Sequence, residues 1–285
     1  MQSLFATLGS TLARMSTRTL AHLSDLHVGR SDESDATLAG MCQTLRKRNV
    51  QHVVVTGDIT HRGRMQEWER FAEIFGPLDI EGRLTVVPGN HDRLNDDVGG
   101  HLMPDHRVAI QRHPGLYLVL FDSTGPHNRK FISSHGEMSA TDLQAISDAF
   151  DGAPEDSLCV LLLHHHLLPL PHDNHGERML AWLGWSSGGE LPRGRELLPR
   201  LRGRCDLILH GHRHDPVTMS LFGEDPRPLS LFNAGSSTEL GHVRLFRHLQ
   251  GRLVAPPMWL PVTATAPVPF FEYVSATHVT EVQNG

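Results

Sequence analysis

The sequence predicts an α/β fold with mostly parallel strands, and three observations carry that prediction. Short apolar runs alternate with segments of helical periodicity along the 285 residues. The first half reads β-α-β-α-β, a rhythm that joins parallel strands through helical crossovers. Polar residues able to do chemistry stand immediately after five of the apolar runs, and the carboxyl edge of an open α/β sheet is where ligand sites collect.

The elements follow in order. Thr19 to Leu23 reads as a buried strand with Asp25 and His27 just beyond it. A helix is expected over 37–48, with Leu38, Met41, Cys42 and Leu45 on one face. The valine-rich run 52–56 is a strand ending at Gly57-Asp58, and 67–75 is helical with Trp68, Phe71 and Phe75 inward. The run 84–87 is a third strand and leads into Pro88-Gly89-Asn90-His91. In the second half, 116–122 and 158–163 read as strands. Between them Ser139 caps a helix that runs to about Phe150, with Asp142 in its first turn. Short strands are expected at 207–209, 229–233 and 242–246, and 256–269 reads as a proline-rich extended edge or tail.

The chain is long enough to bury a large core within one domain, and its net charge of −6 gives no electrostatic footprint for nucleic acid, so none is expected as a partner. Cys42, Cys159 and Cys205 are odd in number and form no CxxC, which reads as a reduced, cytoplasmic chain. Residues 1–18 read as an amphipathic extension, with Leu4, Phe5, Leu8, Leu12 and Met15 on one helical face. They lack the charge and apolar length of a signal peptide, and no transmembrane segment is expected.

Five short segments hold the chemistry: Asp25-Leu26-His27, Gly57-Asp58, Gly89-Asn90-His91-Asp92, His164-His165-His166 and Gly211-His212-Arg213-His214. Each has a bland reading by itself, as a helix cap, a turn or a surface histidine. Together, and in this order, they resemble the motif series of the calcineurin-like metallophosphoesterases, over roughly residues 19–240. The resemblance is closest to small bacterial phosphodiesterases of cyclic nucleotides and glycerophosphodiesters. It implies a four-layer sandwich of two mixed β-sheets flanked by helices. It also divides the chain into the 1–18 extension, a phosphoesterase domain over 19–248, and a tail over 249–285 that packs on or extends the domain.

The resemblance further implies two metal ions. Asp25, His27, Asp58 and His214 would hold one; Asp58, Asn90, His164 and His212 would hold the other, with Asp58 shared. A donor set mixing carboxylate, amide and imidazole suits Mn, Fe or Zn better than Ca. Two such ions clamp an in-line phosphoryl displacement by a hydroxide bridging them. His91 would face the substrate phosphate as a catalytic group, and Asp92 would orient His91 by accepting its other N–H. His165 and Arg62 are candidate substrate contacts. His61, His172 and His175 are loop residues near the expected site, His166 packs or faces solvent, His210 lies behind the ligands, and His22 is a core residue. The segment 167–191, with Trp182 and Trp185, stands where a lid, a pocket wall or a short covering helix belongs.

The function expected is hydrolysis of a small phosphodiester. A phosphomonoesterase or protein phosphatase is the nearest alternative. A lipid-linked pyrophosphate hydrolase is argued against by His91, where that group carries Arg, and related nucleases are longer. A scaffold built on an inactive phosphoesterase fold would have lost ligands, and all seven metal positions are present. A homodimer is compatible with the sequence.

Overall fold

The computed structural model describes residues 16–130, 134–168 and 191–262, and the backbone of 273–275. The amphipathic face expected before Met15, and Trp182, Trp185, His172 and His175, lie outside the described residues.

The first sheet is built around β1 (Arg18–Leu23), β2 (His52–Thr56) and β3 (Leu84–Val87), which are parallel. On the other side of β1 lies the antiparallel β10 (His242–Leu249), which pairs in turn with β11 (Arg252–Leu253) and β12 (Met258–Pro261). The second sheet has a parallel centre of β5 (Leu116–Phe121), β6 (Leu158–Leu162), β7 (Leu207–His210) and β9 (Leu229–Asn233). The antiparallel strands β4 (Val108–His113) and β8 (Val217–Leu221) flank this centre, and β13 (Tyr273–Ser275) pairs with β8.

Strands buried on both faces read as continuous apolar runs, and the pleat sorts their side chains between two cores. Leu116, Leu118 and Leu120 of β5 meet Leu20, Val54 and Phe246 of the first sheet in a core between the sheets. Tyr117, Val119 and Phe121 point the other way, toward the helices α4 (Ala140–Ala149) and α5 (Gly194–Leu201). Val53 and Val55 of β2 lie under α1 (Asp32–Lys47) and α2 (Met65–Ile80), with Leu38, Met41, Phe71 and Phe75. Three cores make four layers: helices, sheet, sheet, helices. Among the described residues, the other α-helices, α3 (Val98–Leu102) and α6 (Ser237–Leu240), are single turns beside the loops.

Helix α1 begins five residues before its expected start. Ser31 accepts a hydrogen bond from the Ser34 amide, and Asp32, Glu33 and Asp35 sit in the first turn. Acidic residues there oppose the helix dipole favourably, although in the sequence they look like loop. Helix α4 starts where expected, with Ser139 and Asp142 forming a reciprocal cap. Strands β4 and β8 were not anticipated; β4 is an edge strand with exposed and half-buried residues, and its apolar run stops after Val108, Ala109 and Ile110. Within the expected proline-rich edge, Met258–Pro261 is β12, and residues from 263 to 272 lie outside the described set. Among the described residues no helix is long and apolar enough to cross a membrane.

Candidate metal centre

The five chemistry-bearing segments leave β1, β2, β3, β6 and β7 at one edge of the paired sheets. The loops are stitched within each sheet and, through His164, from one sheet to the other. The Asp25 amide donates to Gly57 O at 3.1 Å, and the Gly211 amide donates to His164 O at 3.1 Å. The His164 ring, Nδ1, reaches Thr56 O at 2.8 Å. Glycine is required where loops touch: a Cβ on Gly89 would stand 2.2 Å from the Asp58 nitrogen, and one on Gly211 would stand 1.8 Å from Ser24 Oγ. Asp25, His27, Asp58, His212 and His214 all have left-handed backbone, with φ of 52°, 47°, 48°, 77° and 56°. Each such residue costs about 1 kcal/mol or more, and strain of this kind gathers at functional sites.

The seven residues expected to bind metal come together in two overlapping groups. In one, His27 Nε2 and His214 Nε2 are 3.1 Å apart, His214 Nε2 is 3.4 Å from Asp25 Oδ1, and His27 Nε2 is 3.8 Å from Asp58 Oδ2. In the other, His164 Nε2 is 3.4 Å from Asp58 Oδ1 and 3.2 Å from Asn90 Oδ1, and His212 Nδ1 is 3.0 Å from the same Asn90 oxygen. Asp58 thus faces each group with a different oxygen. Asp25 also accepts from the His212 amide at 3.0 Å, which ties the first segment to the last.

This donor set fits metal ions. His164 Nδ1 faces a carbonyl, which can only accept, so Nδ1 carries the hydrogen and Nε2 offers its lone pair. That lone pair then meets the Asn90 and Asp58 oxygens, three acceptors converging at the buried floor of the cleft. Acceptors so arranged repel unless a cation lies among them. Without metal the cation is a proton: burial alone would lower the His164 pKa, but the Asp58 carboxylate outweighs it and raises the value to about 9. Burial keeps His27 low, at about 3, and His212 well below the ordinary range, so both are neutral imidazoles able to coordinate. Burial raises the pKa of Asp25, whereas the neighbouring His164 holds Asp58 well below the usual carboxylate range despite its burial.

A family model described as calcineurin-like phosphoesterase matches residues 18–216. The chain belongs to the calcineurin-like phosphoesterase family. It is 24% identical over 208 residues to a probable cyclic nucleotide phosphodiesterase of Pseudoalteromonas sp. (strain SM9913), covering 69% of this chain and 71% of that protein. It is 28% identical over 180 residues to the 3′,5′-cyclic adenosine monophosphate phosphodiesterase CpdA of Escherichia coli (strain K12), covering 60% of this chain and 57% of the relative. The match to the protein of the same name in Vibrio vulnificus (strain CMCP6) is 27% over 162 residues, 52% of this chain and 56% of that one. The chain therefore aligns with little more than half the length of these two relatives. In fold it resembles a purple acid phosphatase of yellow lupin seeds, with a TM-score of 0.61 at 12% identity over 91% of this chain and 54% of that one. It also resembles a dimetal phosphatase of Danio rerio, with a TM-score of 0.58 at 14% identity over 86% and 99% of the two chains.

In this calcineurin-like phosphoesterase the groups around the centre depart from the sequence expectation in three places. His91 lines the cleft, but Asp92 does not orient it. The Asp92 carboxylate turns inward from the short 3₁₀ turn and accepts from the amides of Ile59, Thr60 and Gly89 and from the Thr60 hydroxyl. His91 is fixed instead by His61 O, 2.8 Å from Nδ1, and by its own amide, which donates to Asp58 Oδ1 at 2.8 Å. His165 is not placed to touch substrate: it is fully buried, with Nδ1 2.8 Å from Ser123 Oγ and Nε2 2.8 Å from Ser134 O. Arg62 is exposed and does not line the cleft, and its backbone is tied down by Glu67 and Asn95.

The other histidines fall as expected or closer in. His22 and His210 are buried, and His166 packs beside the His212 ring. His61 comes nearer than a loop residue need, clustering with His27 and His91. The open cleft, about 450 Å³, is lined by Asp58, Asn90, His91, His212 and His214, and also by Ser134 and Arg213. Neither of those two was singled out, though Arg213 stands between two candidate ligand histidines. Sequence reading also missed a brace formed by Asn233 and Ser236 to Glu239. Asn233 Nδ2 donates to Gly211 O at 2.8 Å, Ser236 Oγ to Asp25 O at 2.9 Å, and the Ser237 amide to Ser24 O at 3.0 Å. Glu239 Oε2 lies 3.6 Å from His214 Nδ1, behind the ring. A run of small polar residues has no periodicity to betray such a role.

Proposed function

We propose that this phosphoesterase is a two-metal phosphodiesterase of small diesters, with cyclic nucleotides the first natural substrates to test. The observation that carries the two-metal reading is Asp58, whose two oxygens face two separate groups of donors. In this reading Asp25, His27, Asp58 and His214 hold one ion, and Asp58, Asn90, His164 and His212 the other. Mn, Fe and Zn suit the mixture of imidazole, carboxylate and amide. When bound, such ions polarise a phosphate and make water a competent nucleophile near neutral pH.

The chain supplies the rest. Asp58 fixes the His91 backbone and His61 fixes its ring, so that Nε2 is the nitrogen presented to the leaving oxygen of a bound diester. A cyclic or alkyl diester leaves as an alkoxide and needs that proton. Arg213 and Ser134 at the cleft wall suit a phosphate oxygen and a sugar hydroxyl. The cleft is open, which fits a small substrate entering from solvent.

The names of the bacterial relatives favour the cyclic-nucleotide choice. The deciding measurement is kcat/KM for a diester and its matching monoester on one metal-loaded preparation. The diester is expected to be preferred; a monoester preferred tenfold or more would overturn the assignment in favour of a phosphomonoesterase.

A further inference from the structure

At the opposite edge of the sheets lies a second cavity, of about 310 Å³. It is formed where β1 and β2 begin, just before β3, at the β4–β5 turn and near the end of β10. Arg18, His52, Arg83, His113 and His248 line it together with Gln51. Arg18 and His248 are cross-strand partners between β1 and β10. His52 and His113 rings lie 4.0 Å apart, and His52 Nε2 is 2.9 Å from Thr85 Oγ1.

His248 is the anomaly. It is 1% exposed, and neither ring nitrogen has a hydrogen-bond partner. A neutral buried imidazole presents one donor and one acceptor, and leaving both unmet is costly enough that natural proteins rarely do it. The titratable and charged side chains that line the cavity with it are mainly basic: Arg18 from β1, His52 from β2, Arg83 from the loop before β3, and His113 from β4. The one carboxylate at the rim, Glu81, is engaged by Arg83 Nη1, and Nη2 donates to Val50 O, which leaves Arg83 Nε as that guanidinium's buried donor without a partner. A metal ion does not suit this place. Two guanidinium groups repel it, and among the described residues the groups whose donor atoms converge all lie at the metal centre.

We propose that this cavity is a binding site for a small phosphate-type oxyanion, held by Arg18, Arg83 and the His248 imidazole. Guanidinium groups pair with such oxygens in charge-assisted bonds, and the volume lies at the small end of ligand cavities. Burial, reinforced by Arg18, keeps the His248 pKa at about 4. A bound dianion offsets both, so binding draws a proton onto the ring. The proposal does not depend on which phosphoester the metal centre hydrolyses.

The test is calorimetric titration of inorganic phosphate into the metal-loaded full chain. Two classes of site are expected in the wild type. Asp58→Ala should remove the class at the metal centre. Arg18→Gln, a substitution at a half-exposed position, should weaken the other class by about tenfold or more, the usual effect of losing one charge-assisted bond. Its diester kcat/KM in phosphate-free buffer should be unchanged. Sulfate, which does not itself titrate near neutrality, should bind the second class with proton uptake at pH 6–7, and His248→Phe should abolish that uptake. Competition by a nucleoside 5′-monophosphate at lower concentration than phosphate would assign the site to nucleotides; the reverse order would assign it to the free anion. A single class of phosphate site, lost in Asp58→Ala and untouched by Arg18→Gln, would overturn the proposal.

Discussion

His91 Nδ1 lies 2.8 Å from the carbonyl oxygen of His61. A carbonyl accepts only, so this bond fixes the tautomer and hands proton exchange to Nε2. His91→Ala is expected to retain its metals and to lose about 10²–10⁴ in turnover on alkyl diesters. The loss should shrink on an aryl diester, whose leaving group needs no proton. Elemental analysis beside the two rate ratios checks this; metal loss in the variant would make His91 a ligand instead.

Asp58 is the residue common to both donor groups, so Asp58→Ala should deplete both ions together. Wild-type protein purified with excess Mn should approach two equivalents by elemental analysis. If the variant retained full occupancy and activity, the shared-carboxylate arrangement would be wrong.

Asp92 acts on the fold of the site and not on its chemistry. It is fully buried and accepts from four donors on two loops, at 3.2 and 2.9 Å from the Ile59 and Gly89 amides and 2.8 and 2.6 Å from Thr60. Removing the carboxylate leaves buried N–H groups unmet. Asp92→Ala should therefore cost about 2–4 kcal/mol of stability. His91→Ala should melt close to wild type. Thermal melts of the two variants, measured side by side, separate the roles, and an Asp92→Ala melt equal to wild type would refute the clamp.

Stability should decline in mild acid. Burial holds the pKa of His52 at about 3 and that of His248 at about 4, against 6.5 for an exposed imidazole. Between pH 6.5 and about 4 the unfolded chain binds protons that these two rings refuse when folded, so unfolding is favoured as pH drops. The stabilisation is fully present above pH 6.5. Each ring adds a slope of up to about 1.4 kcal/mol per pH unit within that window. Urea midpoints from pH 8 to 4.5 should show a shallower slope in His248→Phe than in wild type; parallel curves would refute the assignment.

Much of the molecule was legible in the sequence because its signals are local. Runs such as Val53-Val54-Val55 and Leu116 to Phe121 are apolar at every position because each face of the strand meets a core, and such runs stand out without any knowledge of partners. The five segments that hold the candidate metal residues were legible for a similar reason, since each stands just after a strand and the chain direction delivers it to one edge; which of their residues would bind metal was implied by the resemblance of the motif series. Helix caps such as Ser139 with Asp142 act within a single turn.

Direction and partnership came only with the folded chain. Asp92 and His91 are adjacent in sequence, yet one turns to the Thr60 loop and the other to the cleft. His165 follows His164, but Ser123 and Ser134 occupy both its nitrogens. The Asn233 and Ser236 brace and the paired placement of Arg18 and His248 join residues separated by as much as 230 positions. Which chemical groups stand at the strand ends follows from the amino-acid sequence alone, since it depends on local pattern and chain direction. The tertiary structure decided which of them face the cleft, which hold the loops and which are buried unmet, because each of those outcomes depends on atoms that distant segments bring within hydrogen-bond reach.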